Sequence, residues 1–193
     1  MTWFPSPYPD ELFYSVLCRY YLSSGIKEHN IVKRLLFGNR VGIKMATLYP
    51  NAAVHAVLSQ LPEGVFDGHN VILHHTPFLY YTRMYPATER EALLVDLLQG
   101  RSKTPTHLWK TFPKDDYALR YCPLCVREDT QIYGEPYYHV EHQIPLSSVC
   151  VRHKCRLKQI AVANPRLTLN NCFFPLGAME TDKEPDVGIS PTE

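Results

Sequence analysis

Two short stretches, "YCPLC" at 121–125 and "CVRH" at 150–153, constrain this chain more than any other feature. Each holds two metal-seeking side chains separated by two residues: Cys122 and Cys125, then Cys150 and His153. Two intervening residues let both side chains face one point while the backbone turns around them. Three sulfurs and one nitrogen satisfy tetrahedral Zn2+, whose thiolate bonds are about 2.3 Å long. Four protein donors leave no open position for water, so such an ion is structural. Its binding would contribute roughly 10–16 kcal/mol of apparent folding free energy. The 24 residues between Cys125 and Cys150 suit a helix or hairpin bridging the two ligand pairs.

Other readings of the cysteines stay open at this level. Cys155, His139 and His142 are substitute ligands within reach of the same pairs; the matched spacing favours Cys150 and His153. A thioredoxin-like redox pair would need a β-α-β pattern around it, and none is present. A disulfide needs an oxidising compartment. The N-terminus, "MTWFPSPYPDELF", has no basic stretch leading into an apolar one, which argues against a secretory signal. No run of 18 apolar residues exists, so no membrane span is expected. Cys18 falls in a helical apolar run and reads as a small buried hydrophobe. Cys172 has no partner at knuckle spacing.

The rest of the pattern is helical. The fold expected is mainly α: a helical N-terminal domain with helix-turn-helix-like elements, followed by a small zinc-binding module. In "PYPDELFYSVLCRYYLSSG", Leu12, Phe13, Val16, Leu17, Tyr20 and Tyr21 recur at helical spacing, with Asp10 as N-cap and Gly25 as terminator. A short second helix runs from about Asn30 to Phe37 and is closed by Gly38. Two short helices joined by about five residues with a glycine form a helix-turn-helix-like pair, a pattern shared with helices that merely pack a core. "PNAAVHAVLSQLP" is a third helix ended by Pro62. A fourth reaches His75 before Pro77 breaks it. His74 and His75 are adjacent, cannot share a helix face, and read as surface or core residues rather than ligands. "PATEREALLVDLLQG" is a fifth helix, with Thr88 and Glu91 at capping-box spacing and Gly100 at its end. "YGEPYYHVEHQIP" reads as an aromatic-rich helix packed on the metal site. The division expected is a helical domain over 1–100, a connector over 101–119, the zinc module over 120–162, and an irregular or disordered tail over 163–193.

Charge adds a partner class. The 193 residues carry a net charge of +1, but residues 176–193 set one lysine against five acids. Between Arg19 and Lys44 there are six basic residues and one acid. Lys33, Arg34 and Arg40, on and after the second helix, are the candidate phosphate contacts to double-stranded DNA. A solvated basic face would have the same composition. The chain has no His-Glu-x-x-His, no Gly-x-x-x-x-Gly-Lys-Ser/Thr and no Gly-x-Ser-x-Gly. A zinc-dependent hydrolase also needs an open coordination position. A non-catalytic protein is therefore expected.

Larger landmarks point to a family. In "FPSPYPDELFYSVLCRY", residues Pro5, Pro7, Tyr8, Asp10, Glu11, Leu12, Ser15 and Arg19 stand at signature positions, and Leu36-Phe37-Gly38 is a second landmark. "LRYCPLCVREDTQIYGEPYYHVEHQIP" followed by "VCVRH" adds Arg120, Tyr121, Cys122, Pro123, Cys125, Asp129, Tyr133, Gly134, Glu135, His142, Gln143, Pro145, Cys150 and His153. Over about residues 4–158 the chain resembles the TniQ/TnsD family of bacterial transposon target-selection proteins. The resemblance implies a non-catalytic adaptor that recognises attachment-site DNA and recruits an AAA+ transposition regulator (TnsC-like). The alternative it implies is an adaptor docked on a CRISPR RNA-guided effector complex without reading DNA itself; a second copy of the chain is a further candidate partner. A cytoplasmic, nucleoid-associated bacterial setting follows, with no membrane partner. Trp3, Phe4 and Tyr8 are the candidate anchor for the regulator, although the same rings could pack the first helix onto the core. Three departures stand out. Lys154 follows His153 where the family often has glycine, Tyr138 stands where tryptophan is common, and only Cys172 follows the second knuckle. The chain therefore reads as an N-terminal part of a longer protein or as a short member.

Overall fold

The computed structural model describes residues 1, 3–38, 51–62, 64, 66–101, 118–145, 147–160, 169 and 171–179. Helix α1 (Phe13–Ser24) buries Phe13, Val16, Leu17 and Tyr20 of the stripe that the apolar spacing predicts, and Tyr14 besides, while Tyr21 is half-buried. It ends where expected: Gly25 has φ 66° and its N–H donates to the Leu22 carbonyl. Its start differs from expectation, because Asp10 is not the N-cap; Leu12 is, without a side-chain cap. Asp10 lies in the left-handed region at φ 56°. Its carbonyl accepts from Val140 N–H at 2.8 Å and its carboxylate from Glu141 N–H at 3.3 Å. Leu12 N–H donates to Tyr138 O at 2.7 Å, and Glu11 forms an antiparallel bridge with His139. The residues before α1 are thus paired with a distant segment, a demand that local capping statistics do not contain.

Helix α2 (His29–Phe37) buries Val32, Leu36 and Phe37, and Gly38 N–H closes it on Arg34 O. Helix α3 (Ala52–Leu58) starts on an Asn51 side chain that accepts from Ala53 N–H, and it stops four residues before Pro62. Helix α4 (Gly68–His74) is capped by Asp67, which accepts from both His69 and Asn70 N–H. Gly68 is the point of closest approach here: a Cβ would sit 2.5 Å from Leu58 Cδ1 and 2.8 Å from Leu98 Cδ2. After the break at Pro77 comes α5 (Phe78–Thr82). Helix α6 (Ala87–Leu98) buries Leu94 and Leu97. Thr88 and Glu91 do not form a capping box; Pro86 is the N-cap and makes no side-chain bond, so Thr88 lies one residue inside the helix. Helix α3 packs against α2, α4 and α6.

The remaining elements surround the cysteines. Strand β1 (Arg120–Tyr121) pairs antiparallel with β2 (Lys158–Gln159) in the register Arg120↔Gln159 and Tyr121↔Lys158. Helix α7 (Pro123–Tyr133) follows β1 directly, and α8 (Val140–Gln143) is a single turn rather than the longer helix expected for that stretch. One hydrophobic cluster runs from Phe4 through α1–α6 to Tyr121, Tyr138, Ile160 and Leu176, and the buried cysteines Cys122, Cys125, Cys150 and Cys155 form a second. The segment 171–179 has one 3-10 turn (Leu176–Ala178), yet it is packed. Tyr14 OH donates to Cys172 O at 2.8 Å and Tyr138 OH to Phe174 O at 2.9 Å. No helix among the described residues is long and apolar enough to cross a membrane.

Candidate metal centre

Cys122 opens the site at the junction of β1 and α7. Its extended backbone makes it the N-cap of α7, and its sulfur accepts from Cys125 N–H at 3.4 Å. Pro123 at the first helical position costs no hydrogen bond, because that N–H has no intrahelical partner. One turn later Cys125 faces the same point. The second half is a hairpin turn: Lys154 N–H donates to Cys150 O and Cys150 N–H to Cys155 O, each at 2.9 Å, beside a Val149↔Arg156 bridge. His153 N–H points at Cys150 Sγ at 3.5 Å. Lys154 has φ 54°, so the left-handed turn that a glycine would favour is made by a lysine.

The donor atoms of Cys122, Cys125, Cys150 and His153 all lie within 4.8 Å of one another. Cys125 Sγ is 3.8 Å from Cys150 Sγ, and His153 Nδ1 is 3.3, 3.5 and 3.7 Å from the sulfurs of Cys125, Cys122 and Cys150. Two thiolates on one tetrahedral zinc sit about 3.8 Å apart when each bond is about 2.3 Å. The cluster therefore fits a four-coordinate ion, and these four residues could hold one. The far ring nitrogen of His153, Nε2, lies 3.4 Å from Glu128 Oε2, which Arg152 also reaches at 2.8 Å. A carboxylate there would fix the ring orientation. The hydrogen bond from Cys125 holds the Cys122 thiol down to about 4, and the same contact pushes Cys125 up.

Two further donors touch the cluster. Cys155 Sγ is 3.3 Å from Cys122 Sγ, and His142 Nε2 is 3.9 Å from Cys125 Sγ. Burial, with the charges of His139 and Arg120 added, pushes the His142 ring down to about 3, so it is neutral. Glu141, His142 and Cys150 also form a triad with mutually close donor atoms.

A frame of polar contacts holds these elements, and the knuckle spacing gave no hint of it. The Gln143 side chain accepts from Arg120 N–H at 3.0 Å and donates to the Arg120 carbonyl at 2.8 Å, clamping the strand that precedes Cys122. The Arg120 guanidinium reaches Ser147 O and Ile144 O. Buried Asp129 on α7 pairs with His139 Nε2 at 3.0 Å, and Asp10 lies 3.6 Å from His139 Nδ1. Burial lowers the His139 pKa, but the two aspartates outweigh it and raise it to about 9. Arg19 bonds Glu11 at 2.9 Å and Glu135 at 2.7 Å while its guanidinium lies 3.7 Å over the Tyr8 ring. Burial pushes Glu11 up to about 7, against the pull of Arg19. The signal for these residues lay in the signature positions, where Tyr8, Asp10, Glu11, Arg19, Arg120, Asp129, Glu135 and Gln143 all occur.

A family model, TniQ, matches residues 2–157. The chain belongs to the TniQ family. The transposon Tn7 transposition protein TnsD of Escherichia coli is 28% identical over 155 residues. The match covers 78% of this TniQ-family chain and 30% of TnsD, so the chain spans under a third of that relative's length.

The other candidate residues are dispersed. Lys33 is half-buried and Arg34 exposed, both on α2; Arg40 lies outside the described residues. Phe4 is buried against Tyr20 and Phe66, and Tyr8 is stacked on Tyr133 at 4.5 Å. Trp3 is 53% exposed and rests on Tyr20. Of the three N-terminal rings, the tryptophan has the surface to offer a partner.

Proposed function

We propose that this chain is a non-catalytic target-selection adaptor in DNA transposition. The TniQ match across residues 2–157 carries the reading. In this reading Cys122, Cys125, Cys150 and His153 hold one structural Zn2+, which ties the start of α7 to the 150–155 turn. When bound, the ion supplies cross-linking of two chain segments and no turnover, since four protein donors fill a tetrahedral shell. The buried frame around Arg19, Glu11 and His139 supports the same view, because its charged groups are engaged with one another.

The adaptor has two tasks. Attachment-site duplex DNA is met by Lys33 and Arg34 on α2 and by Arg40, which follows them in sequence. An AAA+ regulator of the TnsC type is recruited through the N-terminal segment, with Trp3 as the exposed anchor. Replacing Lys33, Arg34 and Arg40 together by alanine is expected to weaken duplex binding and reduce its log–log salt slope by about one per lost phosphate contact. Unchanged affinity and slope would assign those residues to solvated surface. A pull-down with ATP-bound regulator tests the anchor: folded Trp3→Ala should fail to capture it, and normal capture would contradict the assignment.

One observation favours docking on a protein complex such as a CRISPR effector. Ile31 and Leu35, 40% and 44% exposed, share a face of α2 next to Arg34. Apolar side chains in that position suit a protein surface better than a phosphate backbone. Binding to effector but not to free duplex would decide for this reading.

A further inference from the structure

A fifth donor touches the four-membered cluster without belonging to its mutually close set. Cys155 is 3% exposed, and its sulfur is 3.3 Å from that of Cys122, as close as any pair of donors in the site. His153, by contrast, has a side chain 23% exposed, and its outer nitrogen meets Glu128 at 3.4 Å. Cys155 follows His153 by two residues across the left-handed turn at Lys154, and its carbonyl is fixed by Cys150 N–H at 2.9 Å. Cys155 is therefore anchored to the backbone of one ligand while its side chain rests on another.

We propose that Cys155 is a reserve ligand that can replace His153, so that one site has two coordination states, three thiolates with an imidazole and four thiolates. This rests on the structural-zinc reading above. In the exchange the bond from His153 Nδ1 breaks, a bond from Cys155 Sγ forms, and the thiol proton passes to the freed imidazole. Total charge is conserved, because the added thiolate is balanced by an imidazolium, and Glu128 stands beside that ring to receive it. The four-thiolate state is the softer donor set and selects soft ions such as Cd2+ over borderline ones. His142 is the other spare donor, but its nitrogen is 3.9 Å from the nearest sulfur, Cys125 Sγ, a longer approach than that of Cys155.

The test uses the full chain loaded with Co2+, whose thiolate-to-metal absorption scales with the number of bound sulfurs, together with zinc content after dialysis. Wild-type chain should bind one ion per molecule; failure there overturns the zinc reading itself. In His153→Ala the charge-transfer band per cobalt should rise by about a third, as three thiolates become four. In His153→Ala/Cys155→Ala it should return to the wild-type intensity, with weaker zinc retention than in the single variant. Cys155→Ala alone should still bind one ion per molecule, with a band no stronger than that of wild type. If His153→Ala binds cobalt with an unchanged band, water has taken the position and the reserve role is wrong. If His153→Ala loses zinc as completely as the double variant, the proposal also fails, while wild-type loading leaves the structural site standing.

Discussion

At the residue scale, the side chains that hold the two halves of the metal centre in place are charged and buried. Glu11 is fully buried and Arg19 nearly so, at 2.9 Å from each other. Burial already pushes Glu11 up to about 7 beside Arg19, so without the arginine the carboxyl takes up a proton, and the loss is that of charge-assisted hydrogen bonds, about 1.5–3 kcal/mol. Arg19→Met is therefore expected to lower stability by about that amount in urea unfolding. His139 gives a pH signature. Its folded pKa of about 9 lies above its ordinary value of 6.5, so the folded chain binds this proton more tightly. The stabilisation is complete below pH 6.5 and is lost as pH rises towards 9. With zinc in excess, the melting temperature should fall over this window in wild type and stay flatter in His139→Gln. Lys154 points the other way. A non-glycine residue in the left-handed region costs roughly 1–2 kcal/mol, so Lys154→Gly is expected to stabilise the chain by about 1 kcal/mol once glycine's greater unfolded-state entropy is discounted. An unchanged urea midpoint would show that the turn bears no strain.

At the element scale, the helices were legible where one local signal sufficed. The α1 stripe, the Gly25 and Gly38 stops and the Pro77 break all act through neighbours in sequence. Asn51 and Asp67 are effective caps, and Asp67→Ala is expected to cost about 1 kcal/mol because two N–H groups of α4 lose their acceptor. Thermal melts of the single variant check this. Local reasoning misplaced Asp10 and the Thr88–Glu91 pair for different reasons. Asp10 is drawn away from α1 by the backbone pairing of 10–12 with 138–140, which only the tertiary fold supplies. At α6, Pro86 fixes the start one residue ahead of the capping candidate. The "YGEPYYHVEHQIP" stretch is rich in rings, yet Tyr137, Tyr138 and His139 are spent on contacts with α1 and α7 in extended conformation, leaving a single turn of helix. The cluster of Cys122, Cys125, Cys150 and His153, which could hold a metal ion, was the most readable part, because a knuckle requires only two residues of spacing. Gln143 and Arg120 were not readable as a clamp, since their partners are backbone atoms 23 and more residues away.

At the scale of the whole molecule, the metal centre and the helical part share their supports. Tyr138 and the 171–179 segment pack on α1, while Asp10 and Asp129 meet on His139. Metal occupancy is therefore expected to be felt beyond the cysteines. The connector expected from sequence at 101–119 lies mostly outside the described residues; if the chain is cut within it, the two pieces should still elute together, because the α1–Tyr138 contacts join them. Separation of the pieces under native conditions would contradict that. We propose that one zinc bound to Cys122, Cys125, Cys150 and His153 holds this TniQ-family chain in shape. Zinc per chain, measured alongside the melting curve for wild type and Cys122→Ser, tests it most directly. About one zinc per wild-type chain is expected, with loss of both metal and the cooperative transition of the 120–160 region in the variant; metal-free wild-type protein with the same melting curve as a zinc-supplemented sample would rule the structural metal out.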